Sequence, residues 1–403
     1  MERAKNPFAP GAGNQPPELA GRDQIIEEAD VALQRVKAAR NDRGQMLLGL
    51  RGVGKTVLLN HIEGMAESAG YYTILLEASE EGRLAELLAP RLRGVLVKLS
   101  ARDKARDLAQ RGLGALRGFA SAFKVSIGGV DIEIKPEAGT ADSGNLELDL
   151  PDLLVSVGDA AKAGTAALAI CVDEVQYLKA SELAAVIVAM HRVSQKNLPI
   201  LFFGAGLPQI AGLAGDAKSY AERLFRYPDV GQLPPEAAAD AIRKPLEAAG
   251  VAIAQEALAY IVEETKGYPY FLQEWGYHAW NVAADSPITL ADAKQATVHA
   301  LQQLDTDFFR VRFDRLTPRE KDYMRAMASL GPGPHRSAEI AGAMGYDSVE
   351  PTGSLRNDLI KKGMIYGPEH GWTAFTVPMF DAFMRRSMPE WTVGDAKGKK
   401  KNR

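Results

Sequence analysis

Apolar residues fall into two rhythms that alternate through the first half of this chain. The apolar run 46–48 and the unbroken run 166–172 read as strands, the latter a buried one, and the largely apolar 71–77 and 199–203 read as two more. Between them the apolar positions recur at helical spacing. Ile25, Ile26, Ala29, Leu33 and Val36 mark a helix from Arg22 to about Arg40, and Leu84, Leu87, Leu88, Leu92, Val95 and Leu99 mark one over 82–100. Residues 150–163 and 181–194 read as two more, and 227–230 as a last strand. Strands alternating with helices in this way predict an α/β domain with a parallel sheet.

After Leu233 the rhythm is helical. Helices are expected at 235–249, opened by Pro234-Pro235, and at 255–265, 269–283 and 291–304. Thr317-Pro318-Arg319-Glu320 is a capping box with proline in the first helical position, opening a helix through Ser329. Residues 337–344 and 352–362 are two further helices, closed by Gly345 and Gly363. Residues 364–366 and 372–377, joined by Gly367-Pro368-Glu369-His370-Gly371, make a hairpin. Three helices and a hairpin in this order look like a winged helix-turn-helix.

The stretch 101–148 breaks the alternation. Its first part is basic and glycine-containing, with Arg102, Lys104, Arg106, Arg111 and Arg117. Phe123–Ile127 and Val130–Ile134 then alternate around Gly128-Gly129, the pattern of a β-hairpin. The stretch reads as an insertion that contacts a partner or decorates the core.

Chemistry enters at Gly49-Leu50-Arg51-Gly52-Val53-Gly54-Lys55-Thr56, which fits G-x-x-x-x-G-K-[ST] between a strand and a helix that begins with Val57. Glycines let such a loop turn tightly and point N–H groups at phosphate oxygens, while the helix N-terminus adds positive potential. The motif predicts ATP binding, with Lys55 reaching the β- and γ-phosphates and Thr56 offering its hydroxyl to Mg²⁺. The run 166–172 ends in Asp173-Glu174, the Walker B pattern, at the strand edge where ligands bind in open α/β sheets. Asp173 is expected to hold Mg²⁺, directly or through water, and Glu174 to act as general base. No Asn-Lys-x-Asp base-reading motif occurs, so a GTPase is a distant alternative.

These motifs, with the Leu19-Ala20-Gly21-Arg22-Asp23 turn before the first helix, resemble the AAA+/STAND group of P-loop ATPases, nearest to those with an origin-recognition-like core. The resemblance implies several further roles. Ala20, Gly21 and Arg22 would lie against the adenine, or simply pack the arm on the sheet edge. Arg223 and Arg226, in Ser219–Arg226, would be arginine fingers acting on a neighbouring subunit through self-association, or a solvated pair. The turn Lys266-Gly267-Tyr268-Pro269 resembles the Gly-x-Pro turn of STAND lids, which makes Gly267, Tyr268 and Pro269 nucleotide-side candidates. The polar sensor residue usual after the fourth strand is replaced by Gly204-Ala205-Gly206, which puts fast turnover in doubt or passes the role to Gln209.

The expected organisation is an extended arm (1–19), an AAA+-like P-loop NTPase core of parallel sheet and flanking helices (20–232), an α-helical lid (233–306), a winged helix-turn-helix (307–386) and a basic tail (387–403). Charge changes the picture at the C-terminal end. Residues 307–403 hold 17 Lys/Arg against 12 Asp/Glu, a net of +5, so that −8 is left on the rest of a chain of net charge −3. That asymmetry suggests double-stranded DNA as a partner, read by Arg356, Asn357, Lys361 and Lys362 on the third helix and by His370 at the wing tip, with the Lys399-Lys400-Lys401 tail on phosphates. The competing expectation is a STAND-type signalling or defence switch, in which the winged helix is an intramolecular clamp and the partner is a protein. A single cysteine, Cys171, cannot form an internal disulfide. The first residues lack the apolar run of a secretory leader, and no membrane span is visible, so a soluble cytoplasmic protein is expected.

Overall fold

The computed structural model describes residues 1–11, 13–128 and 139–392 of the 403-residue chain. They fold as two compact units. One comprises residues 22–49 and 54–230, here the sheet unit; the other comprises residues 1–21, 50–53 and 231 onward, here the helical unit.

The sheet unit contains five strands, β1 (Gly44–Leu48), β2 (Tyr72–Glu77), β3 (Leu168–Asp173), β4 (Ile200–Gly206) and β5 (Phe225–Arg226). All neighbours are parallel, in the order β2-β3-β4-β1-β5. The three central strands are buried along their whole length, which is why they read as continuous apolar runs, whereas the edge strand β2 alternates buried and exposed positions toward its end. Register brings the strand ends together: Leu48 pairs with Gly206, Val172 with Gly204, and Glu77 with Asp173. The P-loop, the acidic pair and the tip of β4 thus leave the sheet from one edge.

Among the described residues, the helices that accompany the sheet are α1 (Asp23–Lys37), α2 (Lys55–Ser68), α3 (Leu84–Ser100), α4 (Arg106–Phe123), α5 (Leu146–Ala163), α6 (Ala180–Gln195), α7 (Ile210–Ala217) and α8 (Ala221–Leu224). Two expectations change here. Residues 106–123 form a helix, and its Ala109, Leu116 and Phe119 are buried in the main core with α3 and α5, so much of the stretch 101–148 belongs to the domain body. Phe123 closes that helix, Lys124 caps it in the left-handed region, and no strand follows at 125–127. The second arm of the expected hairpin, Val130–Ile134, lies outside the described residues. The last strand is also displaced: pairing with β1 is made by Phe225 and Arg226, and within 227–230 only Asp229 bridges to Leu48.

The helical unit begins with an arm that is hydrogen-bonded to residues between Tyr277 and Ala284. In chain order it contains α9 (Pro235–Ala248), α10 (Gln255–Thr265), α11 (Pro269–Val282), α12 (Leu290–Gln303), a π-helical turn (Leu304–Phe309) and α13 (Arg310–Asp314). There follow α14 (Pro318–Ser329), β6 (His335–Arg336), α15 (Ser337–Ala343), α16 (Glu350–Lys361), β7 (Ile365–Tyr366), β8 (Trp372–Phe375) and α17 (Phe380–Ser387). Phe8 of the arm is 2% exposed, its ring over Gly276, and Asn6 donates to the Tyr277 carbonyl at 3.0 Å. The capping box forms: Thr317 N donates to Glu320 Oε2 at 2.7 Å, and Glu320 N to Thr317 Oγ1 at 3.3 Å. The antiparallel sheet β6-β8-β7 with α14, α15 and α16 is compatible with a winged helix, and Phe309, Phe313, Phe380 and Phe383 form one aromatic cluster beside it. Among the described residues no helix is long and apolar enough to cross a membrane.

Candidate nucleotide site

In the sheet unit the P-loop leaves β1 at Gly49, whose N–H donates to the Gly206 carbonyl at 3.1 Å. It re-enters at Gly54, which caps α2 in the left-handed region (φ 91°), and Leu58 N bonds back to the Gly54 carbonyl. Lys55, Thr56 and Val57 therefore form the first turn of α2, where unspent N–H groups and the helix dipole attract anions. Lys55 is buried. The Thr56 hydroxyl donates to Asp173 Oδ2 at 2.6 Å, so two residues far apart in sequence meet at this helix start. Asp173 is buried, and burial pushes its carboxyl above the usual carboxylate range; the Thr56 hydroxyl, the Glu174 N–H and the Lys55 charge partly offset this.

The next residue departs from strand geometry. Glu174 has φ 53° and ψ 40°, a conformation non-glycine residues seldom adopt. Its N–H donates to Asp173 Oδ1 at 2.8 Å, its carbonyl accepts from Tyr177 N at 2.9 Å, and its carboxylate accepts from the Gln176 amide. A hydroxyl and a carboxylate converging on the P-loop helix are oxygen donors of the kind a small hard cation takes, with other positions left to phosphate and water. Thr56 and Asp173 therefore fit the magnesium role. No cluster of three or more metal-ligating His, Cys, Asp or Glu occurs among the described residues.

In the helical unit the first half of the P-loop meets the start of α11. The Tyr268 hydroxyl donates to the Arg51 carbonyl, and Tyr270 N donates to the Gly52 carbonyl at 3.1 Å. Arg51 N in turn donates to the Thr376 carbonyl, just past β8, at 3.2 Å. The Gly-x-Pro turn explains this placement. Gly267 has φ 67°, and a Cβ there would lie 2.3 Å from the Leu233 carbonyl oxygen, so only glycine fits. Pro269 then starts α11. Tyr268, inside the turn, and Tyr270, just after it, are the residues bonded to the loop. Sequence reasoning also missed Arg312, whose guanidinium lies 4.0 Å from the Phe308 ring centre and donates to the Phe308 carbonyl. Burial, and then the Arg51 charge, bring its pKa down to about 10. No local pattern announces such a residue, because its surroundings come from three separate segments.

The remaining candidates divide by environment. Ala20 is buried and Gly21 (φ 66°) packs on Leu233 and Ala237 in the helical unit. Arg22, in the sheet unit, is buried near Asp229, and burial lowers its pKa. Arg223 is exposed on α8. Arg226 is not presented outward: it donates to Asp42 at 3.0 Å and to the Arg43 carbonyl at 3.1 Å, with Glu28 at 3.7 Å. Gln209 leads into α7, and its Oε1 is buried with no hydrogen-bond partner among the described residues.

On the third helix of the C-terminal region, Arg356 faces inward. It donates to Thr373 Oγ1 at 2.9 Å and to the Trp372 carbonyl at 3.0 Å, bracing its own hairpin. Lys362 is likewise spent, on Glu320 at 2.7 Å and the Arg315 carbonyl at 3.3 Å. Both side chains thus brace the scaffold of the C-terminal region. Asn357, Lys361 and His370 remain exposed, and Lys399–Lys401 lie outside the described residues.

Comparison with known proteins gives the site its setting. The family model for the AAA ATPase domain matches residues 18–203, and that for a domain of unknown function (DUF8462) matches residues 306–384. No curated protein matches the chain. Among solved structures it is similar to the Walker-type ATPase of Pyrococcus abyssi, at 18% identity and a TM-score of 0.54, over 91% of this chain and 96% of that one. It also aligns with the ORC2 protein of Aeropyrum pernix (15% identity, TM-score 0.48, 94% and 98% covered). The third is the ORC1 protein of the same organism in complex with DNA (12% identity, TM-score 0.46, 96% of each chain covered). Residues 18–203 thus form an AAA ATPase domain, and its sheet has the P-loop NTPase fold.

Proposed function

We propose that this chain binds ATP with Mg²⁺ and hydrolyses it, as a nucleotide-dependent switch. The observation that carries the reading is the 2.6 Å bond from the Thr56 hydroxyl, at the start of α2, to Asp173, whose other carboxylate oxygen accepts the Glu174 N–H. In this reading the N–H groups of Gly52 to Thr56 and the Lys55 ammonium receive the phosphates. Thr56 and Asp173 hold the magnesium ion, which when bound neutralises charge developing on the phosphate oxygens. Glu174 accepts the proton of the attacking water, and its fixed backbone aims the carboxylate. Lys55→Ala should abolish nucleotide binding, while Glu174→Gln should keep ATP bound and slow its turnover. A wild-type rate in Glu174→Gln would remove Glu174 as the base.

The switch acts through the C-terminal region in this proposal. Two observations support the clamp form: Arg51 N bonds to the Thr376 carbonyl, and Arg356 and Lys362 are occupied by their own scaffold. A DNA-binding form rests on the exposed Asn357, Lys361 and His370 and on the +5 charge of residues 307–403. Binding to random duplex DNA, with and without ATP·Mg²⁺ at two salt concentrations, separates them. ATP-dependent, salt-sensitive binding lost in Lys361→Ala supports the DNA form; no binding in any nucleotide state supports the clamp and a protein partner.

A further inference from the structure

The end of β4 lacks the polar side chain expected there, and the structure shows what occupies the space. Gln176 stands in the 3₁₀ turn Val175–Tyr177 that follows Glu174. Its Nε2 donates to the Glu174 carboxylate, and its Oε1 accepts from the Leu207 N–H at 3.2 Å. A side-chain amide donates at one atom and accepts at the other, which is what these two partners require. A glutamate would place an acceptor against the Glu174 carboxylate, and an aliphatic residue would satisfy neither partner.

Gly206 makes the arrangement possible. A Cβ on Gly206 would lie 2.9 Å from Gln176 Oε1 and 3.1 Å from Ile210 Cγ1. A side chain at the strand end and Gln176 in its present place therefore exclude each other. Gly206 also accepts the Gly49 N–H at 3.1 Å, so the tip of β4 is bonded at once to the first P-loop glycine and, through Leu207, to Gln176.

We infer that Gln176 is a positioning residue, holding the Glu174 carboxylate in the orientation needed for proton abstraction and tying it to the tip of β4. The glycine at the strand end is then the room in which this glutamine works. The inference rests on the ATPase reading above. Gln176 touches neither nucleotide nor water in this assignment; it acts by restricting the carboxylate and by donating to its ionised form.

The test is steady-state ATP hydrolysis by the full chain, together with equilibrium binding of a fluorescent ATP analogue. Gln176→Ala should lower kcat roughly 10- to 100-fold while KM and analogue affinity stay within about twofold, because aim is lost and binding is not. Gln176→Glu should lower kcat as Gln176→Ala does, with analogue affinity kept, since a carboxylate offers no donor to Glu174. Gly206→Ala should reproduce the kcat loss of Gln176→Ala, and the double variant should be no worse than either alone. A fold defect would not spare KM and analogue affinity while kcat falls, and should Gln176→Ala fail to fold, Gln176→Glu and Gly206→Ala decide. The inference is overturned by a wild-type kcat in Gln176→Ala, or by fully additive losses in the double variant, while Glu174→Gln is inactive. If Glu174→Gln itself turns over normally, the ATPase reading fails and takes this inference with it.

Discussion

The backbone N–H of Arg51 donates to the carbonyl of Thr376 at 3.2 Å, which binds the third position of the P-loop to the strand end of a hairpin near the far end of the chain. Thr376 is itself fixed: it is fully buried, and its hydroxyl donates to the Gly363 carbonyl at 2.7 Å and the Met364 carbonyl at 3.0 Å. Replacing that hydroxyl leaves a buried acceptor short of a donor. Thr376→Val should lower unfolding stability by about 1–2 kcal/mol, read by urea denaturation. An unchanged midpoint would show that the hydroxyl contributes nothing.

Asp173 gives a pH prediction. Burial holds its carboxyl above the usual range, so the folded state is favoured while the group is protonated, below its pKa in the unfolded chain. That contribution is lost as pH rises through the raised folded pKa. Without nucleotide or metal, the stability of the wild type relative to Asp173→Asn should fall across that window. A difference between the two proteins that stays flat with pH would contradict it.

The Gly-x-Pro turn should be intolerant at its first position. Gly267→Ala meets both a positive φ and a backbone oxygen 2.3 Å from the new Cβ. The expected loss is about 1–3 kcal/mol in denaturant unfolding, with a raised KM for ATP because Tyr268 and Tyr270 lose their placement. Wild-type stability and KM together would remove the turn from any role at the loop.

Arg356 and Lys361 should behave oppositely although both are cations on α16. Arg356 carries two hydrogen bonds to the β8 strand, whereas Lys361 is exposed. Arg356→Ala should lower the melting temperature, and Lys361→Ala should leave it unchanged. Equal melting temperatures for the two variants would refute the bracing role.

Much of this was legible in the sequence, for a physical reason. The lid helices and the central strands show their burial as an apolar period, and the P-loop conformation is dictated by its own glycines. Asp173 and Glu174 were legible because an apolar run that ends in carboxylates can hardly be placed elsewhere. Helix α4 was not, since Gly112, Gly114 and Gly118 argue against a helix. Tertiary packing overrides that preference: a Cβ on Gly112 would press on Leu96 at 2.7 Å, and one on Gly118 would sit 3.3 Å from Asp142. The alternation at 123–127 misled because so short a stretch cannot distinguish a strand from the frayed exit of a helix. Gln176 and Arg312 stayed hidden because their meaning depends on neighbours from other segments.

The bonds that hold the first half of the P-loop carry a consequence for how the protein is made. Tyr268, whose hydroxyl meets the Arg51 carbonyl, is 217 residues further along the chain, and Thr376 comes later still. On the ribosome, the strands and helices of the sheet unit emerge well before these partners do. A nascent chain therefore exposes Arg51 and Gly52 without their final contacts until Tyr268 and Thr376 have been made, and a chain cut before Tyr268 never acquires them.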